Sequence, residues 1–178
     1  MLNKKAQDKR STRDAYGEAL LSLAKTNHNI VVVSADLAES TRVQKFSQKY
    51  PDRFFEVGVA EQNMLGLASG LSLAGKTVFA SSFAVFSPGR NWDQLRISIC
   101  YSKANVKIVS THAGLSVGED GASHQALEDI ALTRVLPNLI VISPLDYEET
   151  KKAVSAIATI KSPVYLRLHR QASPQISK

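Results

Sequence analysis

The chain has 178 residues, of which 44% are hydrophobic and 21% charged, which fits one globular domain with a sizeable core. Its formal net charge of +6 comes mainly from basic residues near both ends, with no stripe of Lys and Arg interleaved with aromatic residues, so we expect no nucleic-acid partner. A single cysteine, Cys100, excludes an intrachain disulfide and fits a reducing compartment.

The sequence shows no sign of export or of a membrane span. The first ten residues are charged but have no apolar segment, which argues against a signal peptide. The longest nearly apolar run, residues 64–74, is too short and too rich in serine and glycine to cross a bilayer. We therefore expect a cytoplasmic protein with no membrane partner.

The hydrophobic pattern alternates between short apolar runs typical of buried strands and segments with helical spacing. Such alternation predicts an α/β fold, a three-layer open and mostly parallel sheet with helices on both faces. Residues 1–10 are interpreted as a polar arm, 11–170 as the domain, and 171–178 as a tail or the start of a linker. In chain order we predict helix 14–25, strand 30–33, helix 41–50, strand 54–57, helix 60–73, strand 77–80, helix 91–100, strand 106–109, helix 125–135, strand 139–142, helix 147–159 and strand 164–168.

Polar side chains follow the carboxyl ends of these strands, which is where open parallel sheets bind ligands. The most informative stretch, residues 111–125 (THAGLSVGEDGASHQ), places His112 and His124 around an acidic, glycine-rich turn. Zinc binding by the two histidines with Asp120 matches no regular spacing, and core or capping histidines remain an alternative. Hydrogen bonding to a polar or anionic substrate fits the glycine-rich setting better.

Glu61 and a pair of phenylalanines are the other candidates. Glu61 opens an apolar predicted helix, where it could complement the helix dipole or serve as a partly buried proton donor. Phe83 and Phe86 could be core aromatics or a stacking wall for a flat heterocycle. The residue pattern alone leaves both alternatives open.

Six segments, taken together and in order, resemble the pyrimidine-binding domain of transketolases, which use thiamine diphosphate. They cover nearly all of the chain beyond residue 11, and the likeness is strongest to the carboxy-terminal chain of transketolases split over two polypeptides. The segments are SADL (34–37), FFEVGVAEQNM (54–64), ASSFAVF (80–86), THAGLSVGEDGASHQALED (111–129), LPNLIVISPLD (136–146) and HRQASP (169–174).

The resemblance implies a role for each matching residue. Glu61 matches the catalytic glutamate that hydrogen-bonds the aminopyrimidine ring of thiamine diphosphate. His112 and His124 match catalytic residues that, together with Asp120, contact sugar hydroxyls or the carbonyl oxygen. Asp36 matches an acid beside the cofactor at a subunit interface. Ring contacts with the cofactor are implied for Phe83 and Phe86, and binding of the substrate's phosphate for Arg13, Ser40 and Arg170.

The resemblance also implies what another chain supplies. In the family the diphosphate is bound through a metal by a Gly-Asp-Gly element and a downstream asparagine on a separate domain, and residues 118–121 (GEDG) do not form that element. We therefore expect this chain to hold no metal and to bind only the pyrimidine part of thiamine diphosphate, with Mg or Ca on an N-terminal, diphosphate-binding transketolase chain. A homodimer or heterotetramer is expected, and the chain alone should be close to inactive. Helix 60–73 would contribute to the interface as well as to the core, with an ordinary buried helix as the alternative.

The resulting hypothesis is a component of a split transketolase that transfers a two-carbon ketol unit between sugar phosphates. 1-Deoxyxylulose-5-phosphate synthase and the β subunit of 2-oxoacid dehydrogenases share the fold and the glutamate, but Arg13, Arg170 and the loop 111–129 favour transketolase. An alternative of a different class is a non-catalytic binding module or a fragment. Two departures from the family are Ala113, where an acid is common, and Gly89, where some relatives have an aromatic residue.

Overall fold

The computed structural model describes residues 9–177. Its strands are β1 (Lys9–Ser11), β2 (Ile30–Ser34), β3 (Phe54–Glu56), β4 (Thr77–Phe83), β5 (Val106–Thr111), β6 (Ile140–Ile142), β7 (Val164–Arg167) and β8 (Ala172–Pro174). Its helices are α1 (Thr12–Leu23), α2 (Gln44–Lys49), α3 (Glu61–Leu73), α4 (Trp92–Gln94, continued as a π-helix over Leu95–Tyr101), α5 (Asp129–Arg134) and α6 (Tyr147–Ile157).

The central sheet has the strand order β3-β2-β4-β5-β7-β6, and every neighbouring pair in it is parallel. Parallel neighbours require crossover connections, which the helices provide. The predicted α/β fold with a mostly parallel sheet is therefore confirmed. The alignment of all six strands brings their carboxyl ends to one edge, where the candidate site residues lie.

Alternation along the buried strands divides the core between the two faces of the sheet. In β2, Val31 and Val33 pack into one hydrophobic cluster, while Ile30 and Val32 pack into the other. Successive side chains of a strand point to opposite faces, so a continuous β-branched run fills two cores at once. The first cluster contains Met64, Leu65 and Ala68 of α3 with Leu95 and Ile99 of the π-helix, and the second contains Tyr16 and Leu20 of α1 with Val154 and Ile157 of α6.

The helix predicted over 125–135 is shorter than expected. Ala126 instead bonds back to Gly114, with N–H···O distances of 2.9 and 3.3 Å between the two backbones, and α5 begins only at Asp129. This pairing closes the loop that carries His112 and His124. Across residues 9–177, no helix has the length and hydropathy needed to span a membrane.

The two ends of the described chain meet in a small antiparallel sheet. Lys9 pairs with Pro174 and Ser11 with Ala172, so regular structure extends beyond residues 11 and 170. Residues 1–8 of the predicted arm and residue 178 of the predicted tail lie outside the described residues. The pairing places the start of α1 beside the end of β7, because the Thr12 side chain exchanges two hydrogen bonds with the His169 backbone.

Candidate functional site

The predicted site residues reach one edge of the sheet from different strands. Glu61 opens α3 after β3, Phe83 is the last residue of β4, and His112 directly follows β5. Asp36 follows β2, and Arg170 follows β7. This is the edge at which open α/β sheets bind ligands.

Glu61 is a buried carboxylate with an exposed partner. Only 1% of its side chain is exposed, whereas 46% of Arg90 is, and Arg90 Nη1 donates a hydrogen bond to Glu61 Oε2 at 2.8 Å. Ser82 Oγ approaches the other carboxylate oxygen at 3.4 Å. Glu61 is also the first residue of α3, and the amino end of a helix is where the helix dipole favours an acidic side chain. The site therefore holds an ionisable group away from bulk water, next to a group that can move.

Phe83, Phe86 and the two histidines form one aromatic cluster. Phe83 stacks on His112 with 3.7 Å between ring centroids, and Phe83 and Phe86 are nearly parallel with centroids 6.0 Å apart. The His124 ring stands edge-on to Phe86 at 5.4 Å. The structure thus brings together all four aromatic residues that the sequence selected.

His112 is almost fully buried, and burial lowers its pKa to about 4, with a further contribution from the nearby Arg13 charge. Its Nε2 lies 3.5 Å from Arg13 Nη1, which can only donate, so Nε2 is the acceptor. The ring proton then resides on Nδ1 and is donated to Thr111 Oγ1 at 2.9 Å. At neutral pH, His112 is therefore an uncharged hydrogen-bonding group rather than a cation.

Cationic side chains gather beside His112. Burial lowers the pKa of Arg13, and repulsion from Arg42 and Arg170 adds to that effect, while Asp14 and Asp120 oppose it. Arg170 packs against the backbone of Gly118, where a Cβ atom would lie 2.1 Å from Arg170 Nη1. Asp120 Oδ2 lies 4.0 Å from His112 Nε2 on the same loop. This cluster can bind an anionic group such as a phosphate.

Over the described stretch of the chain, two of the predicted site residues, Ser40 and Asp36, contribute no side-chain contact to the clusters described above. The Ser40 backbone carbonyl, rather than its hydroxyl, accepts a hydrogen bond from Arg13 Nη1 at 3.1 Å. Asp36 is exposed with a positive φ of 59°, and its backbone N–H is held by Glu56 Oε1 at 2.7 Å. Within residues 9–177 the Asp36 side chain makes no hydrogen bond or ion pair with the rest of the site.

Sequence reasoning missed Arg90 and its neighbour Asn91. Asn91 is fully buried, and its amide donates to the Glu61 carbonyl and to Ser87 Oγ, each at 3.1 Å. The only signal for these residues in the sequence is that a polar pair follows Pro88 and Gly89. That pattern does not indicate where the Arg90 guanidinium points. In the described part of the chain, no three His, Cys, Asp or Glu side chains cluster in a way that could hold a metal ion.

The comparisons with known proteins agree with this architecture. Residues 8–175 match the family model for the transketolase pyrimidine-binding domain. A protein of Methanocaldococcus jannaschii, provisionally named a transketolase C-terminal section, is 54% identical over 159 residues, which cover 89% of this chain and 50% of that protein. A 6-deoxy-6-sulfo-D-fructose transketolase subunit of a Clostridium species is 38% identical over 92% of this chain and 51% of its own length.

Among solved structures, an inactive β4 tetramer of a split-gene transketolase superposes with a TM-score of 0.84 at 51% identity. The match covers 94% of this chain and 54% of that one. The chain therefore spans about half the length of these relatives. It belongs to the transketolase family, through that family's pyrimidine-binding domain.

Proposed function

We propose that this chain is one component of a split transketolase and supplies the aminopyrimidine-binding half of its site. The observation that carries the proposal is the placement of the buried Glu61 carboxylate and the Phe86 ring. One guanidinium, that of Arg90, reaches both of them, with 2.8 Å to Glu61 Oε2 and 4.5 Å from its central carbon to the ring centroid. The edge of a flat ligand can thus contact Glu61 while its face contacts Phe86.

These residues fit thiamine diphosphate on chemical grounds. An aminopyrimidine is planar and carries nitrogen atoms at its edge, as a guanidinium does, so it can bind to a carboxyl group and stack on an aromatic ring at once. Thiamine diphosphate, when bound, supplies the carbanion chemistry that no side chain provides. In this proposal Glu61 holds a hydrogen bond to a ring nitrogen and Phe86 stacks on the face of the ring. Phe83 contributes through Phe86, its nearly parallel neighbour.

The substrate side of the site is assigned to the second cluster. Arg13 and Arg170 bind the phosphate of a sugar phosphate, since neither forms a direct ion pair within residues 9–177, although Asp14 and Asp120 lie near Arg13. His112 accepts a hydrogen bond at Nε2 because it is neutral, and His124 and Asp120 contact sugar hydroxyls. A two-carbon ketol unit is transferred between sugar phosphates in this arrangement.

The remaining half of the site is assigned to an N-terminal, diphosphate-binding chain that also carries Mg or Ca. The relatedness to a transketolase C-terminal section and to a split-gene β4 tetramer described as inactive supports the need for such a partner. Helix α3 is proposed to lie at the interface, because a Cβ atom at Gly66 or Gly70 would meet no other atom within 4 Å. We propose a homodimer or heterotetramer that is close to inactive without the partner.

Affinity capture from the native lysate, in the presence of thiamine diphosphate and magnesium, tests the proposal. We expect a co-purifying chain that contains Gly-Asp-Gly with a downstream asparagine, and the assembly should convert ketose phosphates rather than pyruvate. Recovery of this chain alone at high cofactor concentration would favour a non-catalytic module. Turnover of pyruvate instead would favour 1-deoxyxylulose-5-phosphate synthase or a 2-oxoacid dehydrogenase component.

A further inference from the structure

Arg90 lies where the proposed function places a heterocycle. It donates to Glu61 Oε2 at 2.8 Å, and its guanidinium lies over the Phe86 ring, 4.5 Å from the centroid. These are the same two groups that the proposal gives to the edge and the face of the pyrimidine. Two planar groups cannot occupy that position together.

The aromatic cluster offers no other position for a ring beside Glu61. Only 5% of Phe83 is exposed, and the His112 ring covers it with 3.7 Å between the ring centroids. Inserting a ring between Phe83 and Phe86 would need two carbon–carbon contacts of about 3.5–4.0 Å each, more than their 6.0 Å centroid separation provides. The accessible ring is that of Phe86, which Arg90 covers.

The backbone that carries Arg90 is fixed, so only its side chain can leave. Its N–H donates to the Phe86 carbonyl at 2.7 Å, and Asn91 ties the same turn to α3. At Gly89 a Cβ atom would lie 2.3 Å from the Val85 carbonyl oxygen, so the turn follows this path only with glycine. Rotation into solvent remains open to the Arg90 side chain, because it is 46% exposed.

We propose that the Arg90 side chain is an internal occupant of the pyrimidine site that competes with the cofactor for Glu61 and Phe86. This inference rests on the proposed function. A carboxylate as buried as Glu61 needs a partner, and Arg90 supplies one that can be exchanged for a ligand. The apparent affinity for cofactor is then reduced by the fraction of molecules in which Arg90 holds the site.

Calorimetric titration of the assembled two-chain enzyme with thiamine diphosphate tests the competition without measuring turnover. Arg90→Ala should lower the dissociation constant about tenfold or more, because the competitor is removed. Arg96→Ala is the matched control, since Arg96 is half exposed on the same segment, pairs with Asp93 and does not contact Glu61. Inorganic pyrophosphate, which lacks the pyrimidine, should bind all three enzymes equally.

A second measurement uses the unmutated chain, so it does not depend on how Arg90→Ala folds. By NMR, the side-chain N–H protons of Arg90 should be protected from solvent exchange, and saturation of the assembled enzyme with thiamine diphosphate should remove that protection. Protection that persists with bound cofactor would overturn the proposal.

The outcomes separate this inference from the function on which it rests. If the unmutated enzyme binds thiamine diphosphate and Arg90→Ala binds it equally or more weakly, the competition is refuted and the proposed function stands. Weaker pyrophosphate binding by Arg90→Ala would mean that Arg90 grips the diphosphate, which also refutes it. If no assembly of the unmutated chain binds the cofactor, the proposed function and the inference are both rejected.

Discussion

The two ends of the parallel sheet each bury a charged side chain, but its partners differ. Near the amino end, Lys107 in β5 is fully buried, and its ammonium donates to Asn105 and to two backbone carbonyls of loop 160–162, each at 2.6 Å. At the carboxyl end, Glu61 is equally buried, yet its partner Arg90 is half exposed. A buried charge with fixed partners stabilises the fold, whereas one with a movable partner can exchange that partner for a ligand.

Some buried polar atoms at the carboxyl end have no hydrogen-bond partner in the described part of the chain. Arg13 Nε, Asn91 Oδ1 and His169 Nε2 are buried and form no hydrogen bond within residues 9–177. Non-glycine residues with positive φ at this end include Asp36 and His112, both at 59°, and Arg42 at 68°. Unsatisfied groups and rare backbone conformations are concentrated at functional sites, because a ligand or the surrounding structure compensates for them.

Glu61→Gln replaces the buried carboxylate at the carboxyl end of the sheet. The amide keeps the shape of the side chain but cannot act as a general acid or base, so turnover of the assembled enzyme should fall by at least about a hundredfold. Circular dichroism should show an unchanged fold. Unchanged turnover in a steady-state assay with sugar phosphates would refute a catalytic role for Glu61.

Lys107→Met changes the buried charge at the amino end of the sheet. It should lower stability and leave activity unchanged, the opposite of Glu61→Gln. Three partly buried oxygens lose their donor, which should lower the free energy of unfolding by about 2–4 kcal/mol in urea titrations. Activity per folded molecule should remain the same. The control is Lys161→Met at an exposed position, with an expected change of about 0.5 kcal/mol or less. A comparable loss in both variants would remove the distinction between the two ends.

Arg170→Ala tests the cationic part of the carboxyl end. We expect the KM for phosphorylated sugars to rise about tenfold or more, because a charge-assisted contact is lost, while unphosphorylated sugars are little affected. Arg134→Ala, an exposed arginine at the end of α5, is the matched control. Equal effects on both kinds of sugar would reject phosphate binding at Arg170.

Asp146→Asn tests what distinguishes the candidate site: its location at the carboxyl end of the sheet, or the incomplete hydrogen bonding of its polar groups. Asp146 caps α6 at the same end of the sheet, but both of its oxygens accept hydrogen bonds, from Glu149, Ile176 and Ser177. Burial opposes ionisation, yet these bonds hold its pKa well below the usual range. The variant should lose about 1–2 kcal/mol of stability at pH 7 and leave cofactor affinity unchanged.

The pH dependence of that loss has a definite sign. Because the folded pKa of Asp146 is depressed, its stabilisation is fully present above the unfolded value of about 3.9 and disappears as the pH falls through the folded value. The stability difference between Asp146→Asn and the unmutated chain should therefore shrink in urea titrations carried below pH 3.9. A difference that stays constant over that range would contradict the assignment.

The sequence predicted the fold well because its strands are continuous apolar runs separated by helical spacing. The pairing of Lys9 with Pro174 was missed, since no local periodicity encodes contact between segments so far apart. The late start of α5 was missed for a similar reason: Ala126 has an ordinary helical sequence context but bonds to Gly114 across the loop.

Residues of the candidate site divide in the same way, into those that local sequence motifs predict and those that depend on contacts between distant segments. The order and identity of motif residues were sufficient to select Phe83, His112 and Glu61, whose roles remain predictions, and the structure brings the first two into direct contact. Arg90 could not be selected, because its position depends on the turn at Gly89 and on a rotamer that reaches across to α3. The neutral state of His112 likewise depends on burial and on the approach of Arg13, which only three-dimensional structure reveals.

The junction of β1 and β8 also determines when the cationic cluster around Arg13 and Arg170 can form. Arg13 lies two residues after β1 and Arg170 two residues before β8, and Ser11 Oγ bonds to the Arg170 carbonyl at 3.1 Å across 159 positions of sequence. Closing so long a loop carries a high entropic cost, so contacts of this kind form late in folding. We expect the proposed phosphate site of Arg13 and Arg170 to be completed after the sheet itself. If the two arginines bind phosphate as proposed, anion affinity would measure whether the last stage of folding has taken place.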